Sequence, residues 1–183
     1  GGDACAFQAN VLDKESLAAA KAAVNAAFGP VTHLINGAGG NNPKGTTTNE
    51  TFRREDIDAK DVVSFFDLDP QGIEFVFNLN FLGTLLTTQV FARDFVDAGH
   101  GNILNVSSMN AYTPLTKIPA YSAAKAAVSN FTQWLAVHFA GAGIRVNAIA
   151  PGFFVTKQNQ ALLFDPQGNP TPRTAKILSQ TPM

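Results

Sequence analysis

Short apolar runs that alternate with long amphipathic ones constrain this chain more than any other feature of its 183 residues. Residues 4–8, 31–36, 102–107 and 144–150 have the length and apolar character of strands. Between them lie segments with helical spacing. Residues 13–28 are alanine-rich, with Leu12, Ala19, Ala23 and Ala27 expected on one side, and Gly29-Pro30 ends them. Asp69-Pro70 is a helix start, because Asp caps free N–H groups and proline tolerates the first helical position. Its pattern continues through Phe75, Leu79, Leu82, Leu86 and Val90 to Val96 and ends near Gly99. Residues 120–140 form a further long helix, closed by Gly141 and Gly143. Strand and helix in strict alternation imply an α/β fold, a parallel sheet with helices on both faces. Residues 41–60 are polar and aperiodic and read as an irregular loop.

Composition narrows the function classes. Thirteen basic and fourteen acidic residues give a formal charge of -1, with no basic stripe for nucleic acid or a membrane surface. A single cysteine, Cys5, cannot form an internal disulfide, which fits a reducing, cytoplasmic setting, and its apolar neighbours suggest a buried small hydrophobe. His33, His100 and His138 share no metal-ligand spacing, so no protein-bound metal is expected. No apolar run reads as long and uninterrupted enough to span a bilayer. The length suits one domain over residues 1–183. Its ends, Gly1-Gly2-Asp3 and Thr181-Pro182-Met183, do not look like natural termini, and structure is expected to be missing at both.

Tyr121-Ser122-Ala123-Ala124-Lys125 places a phenol and an ammonium on one face of a helix. A nearby cation favours the phenolate, and such a Tyr can serve as general acid or base. Alone, the spacing arises by chance in roughly one chain in three of this size, and a surface Tyr under a Lys stem explains it as well. Ser107-Ser108, however, ends the preceding strand, at the sheet edge where ligands bind. A hydroxyl there can donate to an oxygen that gains charge, or merely hold a turn. Asn36-Gly37-Ala38-Gly39 ends another strand, where glycines permit close approach of a flat ligand or form a plain turn. Asn80, inside an apolar helix, is either a satisfied core amide or a residue that bends the helix and organises water. Pro151-Gly152 and Thr156 follow the last strand.

In this order and spacing the residues resemble the short-chain dehydrogenase/reductase family. The family's Asn-Asn-Ala-Gly appears as Asn36-Gly37-Ala38-Gly39, its helix Asn as Asn80 followed by Gly83, and its Ser thirteen positions before the Tyr as Ser108. Tyr121 and Lys125 match Tyr-x-x-x-Lys, and Arg145-Val146-Asn147 leads into Pro151-Gly152 and Thr156. The resemblance implies a Rossmann-like doubly wound parallel sheet and a secondary alcohol–ketone oxidoreductase using NAD or NADP, with NAD favoured. It implies Tyr121 as acid/base, Lys125 as its partner and a ribose ligand, Ser108 on the substrate oxygen and Asn80 supporting a water relay. The cofactor would meet Asn10, Val11, Asn36, Gly37, Ala38, Gly39, Tyr121, Lys125, Pro151, Gly152, Val155 and Thr156. Two positions depart from the family pattern: Gly37 replaces the second Asn, and Asn10 stands where an Asp near the adenine is usual. The family's glycine-rich turn, expected before Gly1, is absent from the sequence.

Residues 41–44, 65–69, 108–114 and 153–165 resemble, within that family, the bacterial D-mannonate oxidoreductases (fructuronate reductases). A sugar acid needs a cation for its carboxylate and polar partners for its hydroxyls. Asn42, Lys44, Asn110, Lys157 and Gln158 are the candidate substrate residues, and Lys117 and Arg173 are further cations. A gluconate or polyol dehydrogenase of the same family is the alternative, and a non-catalytic binding module the reading from another class. The long helices carry more apolar surface than one sheet face covers, which implies a homodimer or homotetramer.

Overall fold

In the computed structural model, β1 (His33–Asn36), β2 (Gly101–Val106) and β3 (Ile144–Ile149) form one parallel sheet in the order β1-β2-β3. The structure describes residues 2–157 and 159–181. Asn36 pairs with Asn105, and Asn105 with Ala148, so the strands finish side by side at their carboxyl ends. Helix α1 (Lys14–Phe28) precedes β1, α2 (Pro70–Phe77) and α3 (Gly83–Ala98) lead into β2, and α4 (Pro119–His138) leads into β3. This is the expected Rossmann-like α/β arrangement. The chain divides into two compact units, Gly1–Ala150 and Pro151–Met183.

Both α3 and α4 pack on the sheet. Their core joins Ala92, Phe95 and Leu135 to Leu34, Ile103, Ile144 and Val146. The opposite face is more open, with Ile35 68% exposed. Asp69 caps α2 by accepting from Gln71 N at 2.9 Å, and Pro70 stands in the first turn, as the sequence suggested. The helix expected to run unbroken from there to Gly99 contains a π segment, Asn78–Leu82, centred on Asn80. Contrary to expectation, the stretch Pro70–Ala98 is long and apolar enough to cross a membrane by length and composition. Its buried polar residues Asn80, Thr84, Thr88 and Asp94, and its packing on β1 and β2, set one face of it in the core.

Two further expectations are corrected. Residues 4–8 form no strand, since none of the described strands pairs with them, and Cys5 is exposed rather than buried. On α1 the buried residues are Leu17 and Ala20, while Leu12 and Ala19 face outward. An alanine-rich helix is weakly apolar all round, so its packing partner α3, not its spacing, selects the inner face.

The second unit holds α5 (Gln160–Leu163) and α6 (Pro172–Ser179). Thr171 caps α6, and Thr174 Oγ1 donates to Leu163 O at 2.5 Å, tying the two helices together.

Asp94 fixes α3 to α1 and to the approach to β1. Its carboxylate takes Lys21 Nζ at 2.5 Å, Asn25 Nδ2 at 3.0 Å and Val31 N at 3.0 Å. Burial pushes this carboxyl up, but the hydrogen bonds and the Lys21 charge outweigh it and hold it below the ordinary carboxylate range. A carboxyl depressed by folding stabilises above its unfolded pKa, about 3.9, and the gain is lost as pH falls through the lower folded value. Removing one partner of a buried pair strands the other. Asp94→Ala is therefore expected to cost about 3 kcal/mol at neutral pH by urea unfolding. The deficit against wild type should shrink below about pH 4.

Candidate active site

Three successive residues at the end of β2 face α4. Val106 O accepts from Lys125 Nζ at 2.8 Å. Ser107 Oγ donates to Lys125 O at 3.0 Å. Ser108 accepts from Asn110 N at 3.2 Å, and its side chain lies near enough to the Tyr121 phenol to pull the phenol's pKa down. Tyr121 and Lys125 share a face because helical spacing stacks positions four apart. Lys125 Nζ lies 5.7 Å from the centroid of the Tyr121 ring. The α4 helix therefore brings both side chains to the strand end that carries Ser108.

The electrostatics differ from the sequence expectation. Lys125 was expected to lower the Tyr121 pKa, but burial dominates and pushes the phenol above its ordinary value, with Ser108 pulling it down. The Lys125 ammonium is itself pushed below its ordinary range by burial. The ammonium donates to the Val106 carbonyl and not to the phenol.

Asn80 is wholly buried. Its amide Nδ2 donates to Gly40 O and Val76 O, both at 2.7 Å, and Oδ1 accepts from Gly40 N at 3.2 Å. The π segment frees helix carbonyls, and Asn80 satisfies one of them while clamping the loop after β1. Its own carbonyl takes Thr84 Oγ1 at 2.8 Å. Asn36 is a strut: Nδ2 donates to Thr88 Oγ1 at 2.9 Å and to Asn105 Oδ1 at 2.8 Å, and Asn105 passes on to Thr132 Oγ1 at 2.9 Å.

Gly37 and Ala38 line a cavity of about 100 Å³ together with Val11, Asn36, Gly83 and Thr84. Val11 reaches it because a Cβ at Gly83 would stand 2.9 Å from Val11 Cγ2. At Gly39 a Cβ would stand 2.6 Å from Asn80 Oδ1 and 3.2 Å from Lys125 Nζ. Glycine alone leaves this approach open. Asn10 is exposed, and its amide oxygen already accepts from Leu12 N at 3.0 Å.

The substrate candidates separate. Asn42 caps its own turn by accepting from Lys44 N at 2.9 Å. Lys44 pairs with Asp69 at 3.3 Å. Asn110 is buried, and its Oδ1 has no hydrogen-bond partner. Pro151, Gly152, Val155, Thr156 and Lys157 belong to the second unit, where Asn159 accepts from Thr156 N and donates to Phe154 O, both at 2.8 Å. Gln158 lies outside the described residues. Sequence reasoning missed Ser129, whose hydroxyl is 2.6 Å from Ser107 Oγ. Its position one turn after Lys125 was the available signal.

Residues 1–166 match the family described as short chain dehydrogenase. The chain belongs to that family. Over all 183 residues it is 61% identical to an uncharacterized oxidoreductase of Haemophilus influenzae and 53% identical to the uncharacterized oxidoreductase UxuB of Bacillus subtilis. It spans 64% of the length of each of these relatives. A crystal structure of a candidate D-mannonate oxidoreductase from Haemophilus influenzae with bound NAD superposes with a TM-score of 0.92 at 60% identity. That match covers 100% of this chain and 65% of the other.

Gly39→Ala is expected to displace Asn80 and Lys125 together, costing about 1–3 kcal/mol in urea unfolding of the full-length protein. Gly37→Ala, with nothing within 4 Å of its added methyl, serves as the control.

Proposed function

We propose that this chain carries the proton-transfer side of a nicotinamide-dependent site that interconverts a secondary alcohol and a ketone. The observation that carries the reading is the corner where Ser108, Tyr121 and Lys125 meet at one strand end. The proposed substrate pair is D-mannonate and D-fructuronate. Support comes from the 60% identity to the NAD-bound structure of Haemophilus influenzae, and NAD is the proposed cofactor on the same ground.

The residues fit such a cofactor at the glycine approach. Val11, Gly37, Ala38 and Gly39 offer flat, close contact, and the Lys125 ammonium has protons to give ribose hydroxyls. The bound nicotinamide supplies or accepts the hydride. The chain's own part is the proton. A phenol held above its ordinary pKa is protonated at neutral pH, which suits donation to a ketone oxygen as it becomes a hydroxyl. Ser108 donates to the same oxygen and stabilises its growing charge. Donation leaves a phenolate, which the nearby Lys125 charge favours, and in the reverse direction that phenolate takes the proton from the substrate hydroxyl.

A homo-oligomer through α3 and α4 belongs to this reading. A groove of about 550 Å³ runs between these helices, lined among others by Leu85, Arg93, Asp97, Phe131 and Trp134. Trp134 is 56% exposed, an unusual state for a residue of that size. Arg93 and Asp97 carry opposite charges on one rim, so a two-fold related copy can set each against the other.

In the full-length protein, D-fructuronate should consume NADH, and Tyr121→Phe should lower kcat at least about 100-fold while NADH binding persists. Turnover of 5-keto-D-gluconate with none of D-fructuronate overturns the substrate assignment, and an active Tyr121→Phe overturns the mechanism. By light scattering, wild type should have at least twice the chain mass and Trp134→Glu the mass of one chain. A wild-type monomer removes the oligomer.

A further inference from the structure

Tyr112 lies in the loop that joins Ser108 to α4 and is 64% exposed, yet its hydroxyl is turned inward. It donates to Ser129 Oγ at 3.2 Å. Ser129 Oγ is 2.6 Å from Ser107 Oγ and 3.2 Å from Lys125 O, and Ser107 Oγ is 3.0 Å from the same carbonyl. Both serines are buried. Each hydroxyl has one proton to give. Tyr112 gives its proton to Ser129, and the two serine hydroxyls, in contact with each other, both reach the Lys125 carbonyl, so every donor has an acceptor on a path that ends at α4.

This chain of hydroxyls ends where the catalytic corner is assembled. Val106 holds the ammonium of Lys125, Ser107 holds its carbonyl, and Ser108 meets Tyr121 one turn earlier on α4. The corner therefore has its register set by Ser107, and the loop that leaves Ser108 comes back to the same register through Tyr112. Along that loop the 3-10 turn Met109–Ala111 has its C-cap at Tyr112, so the phenol closes the segment immediately after Ser108. We propose that Tyr112 is a positioning residue that latches the loop following Ser108 onto α4 through Ser129 and so holds the Ser108 hydroxyl at the Tyr121 phenol. The proposal rests on the oxidoreductase reading for its kinetic consequence, but the latch itself does not.

Tyr112→Phe removes one hydroxyl and leaves the ring. In full-length protein, hydrogen–deuterium exchange of residues 109–118 should quicken at least about tenfold, with α4 unchanged. In the ketone-reducing reaction kcat should fall about tenfold while the KM for NADH stays within about twofold. Ser129→Ala should give the same loss, and the double variant no more than either single one, as expected of groups acting in one chain. Unchanged exchange in Tyr112→Phe overturns the latch. Faster exchange with unchanged kcat, or losses that simply add, overturns the positioning role. If wild type fails to reduce D-fructuronate, the substrate reading falls, and the exchange measurement still decides the latch. A Ser129→Ala protein that does not fold leaves the decision to Tyr112→Phe alone.

Discussion

A buried ammonium is the constraint around which the first unit is arranged. Lys125 is 5% exposed, and a charge so placed is costly unless its protons find oxygen. The oxygen is the carbonyl of Val106, the last residue of β2. Satisfying that charge fixes the height of α4 against the sheet. Once the height is fixed, Ser107 meets the helix backbone and Ser108 meets Tyr121, and neither contact can be adjusted without loosening the other. On the far side Gly39 comes close to the same ammonium, and the loop that carries it is held by Asn80 through Gly40.

Polar residues do much of the alignment inside this core. Asn36, Asn105 and Thr132 form a row of hydrogen bonds from β1 through β2 to α4, with Thr88 joining from α3. Apolar packing in the cluster around Phe95 supplies attraction but tolerates small slips. Directional hydrogen bonds between buried amides do not tolerate them, since a misplaced partner leaves a desolvated group unpaired. The sheet edge that presents the candidate site is therefore stiffened from within, close to the place where charge would move.

The order of elements was legible in the sequence because strand and helix differ in period and because their ends carry strong signals. Asp69-Pro70 and Gly99 bound a helical stretch as read, and the strands end within a residue of where the apolar runs stop. Tyr121, Lys125 and Ser108 could be singled out because spacing places two on one helix face and the third at a strand end. The inner face of α1 was not legible, since alanine gives little contrast around a helix. Residues 4–8 have strand-like composition, but a strand is a property of a pair, and composition does not supply the neighbour. Nor did the sequence disclose the direction of the Lys125 proton or the part of Ser129. Both depend on how α4 is seated on the sheet, a tertiary fact with no local signature.

The π segment Asn78–Leu82 inserts a change of phase into one continuous helical rod. Each residue of an α-helix turns the side chains by about 100°. With the extra residue, α2 aims Val76 at Ala120 and Ala124 of α4 while α3 aims Thr88 at Asn36 and Asp94 at Lys21. The segment acts as a gear between two packing surfaces that no uniform helix could serve at once. Its length is thus fixed by two packing surfaces at once. Gain or loss of one codon here would rotate every contact of α3 away from β1 and β2, whereas point substitutions along the exposed side of the same rod would pass with small effect.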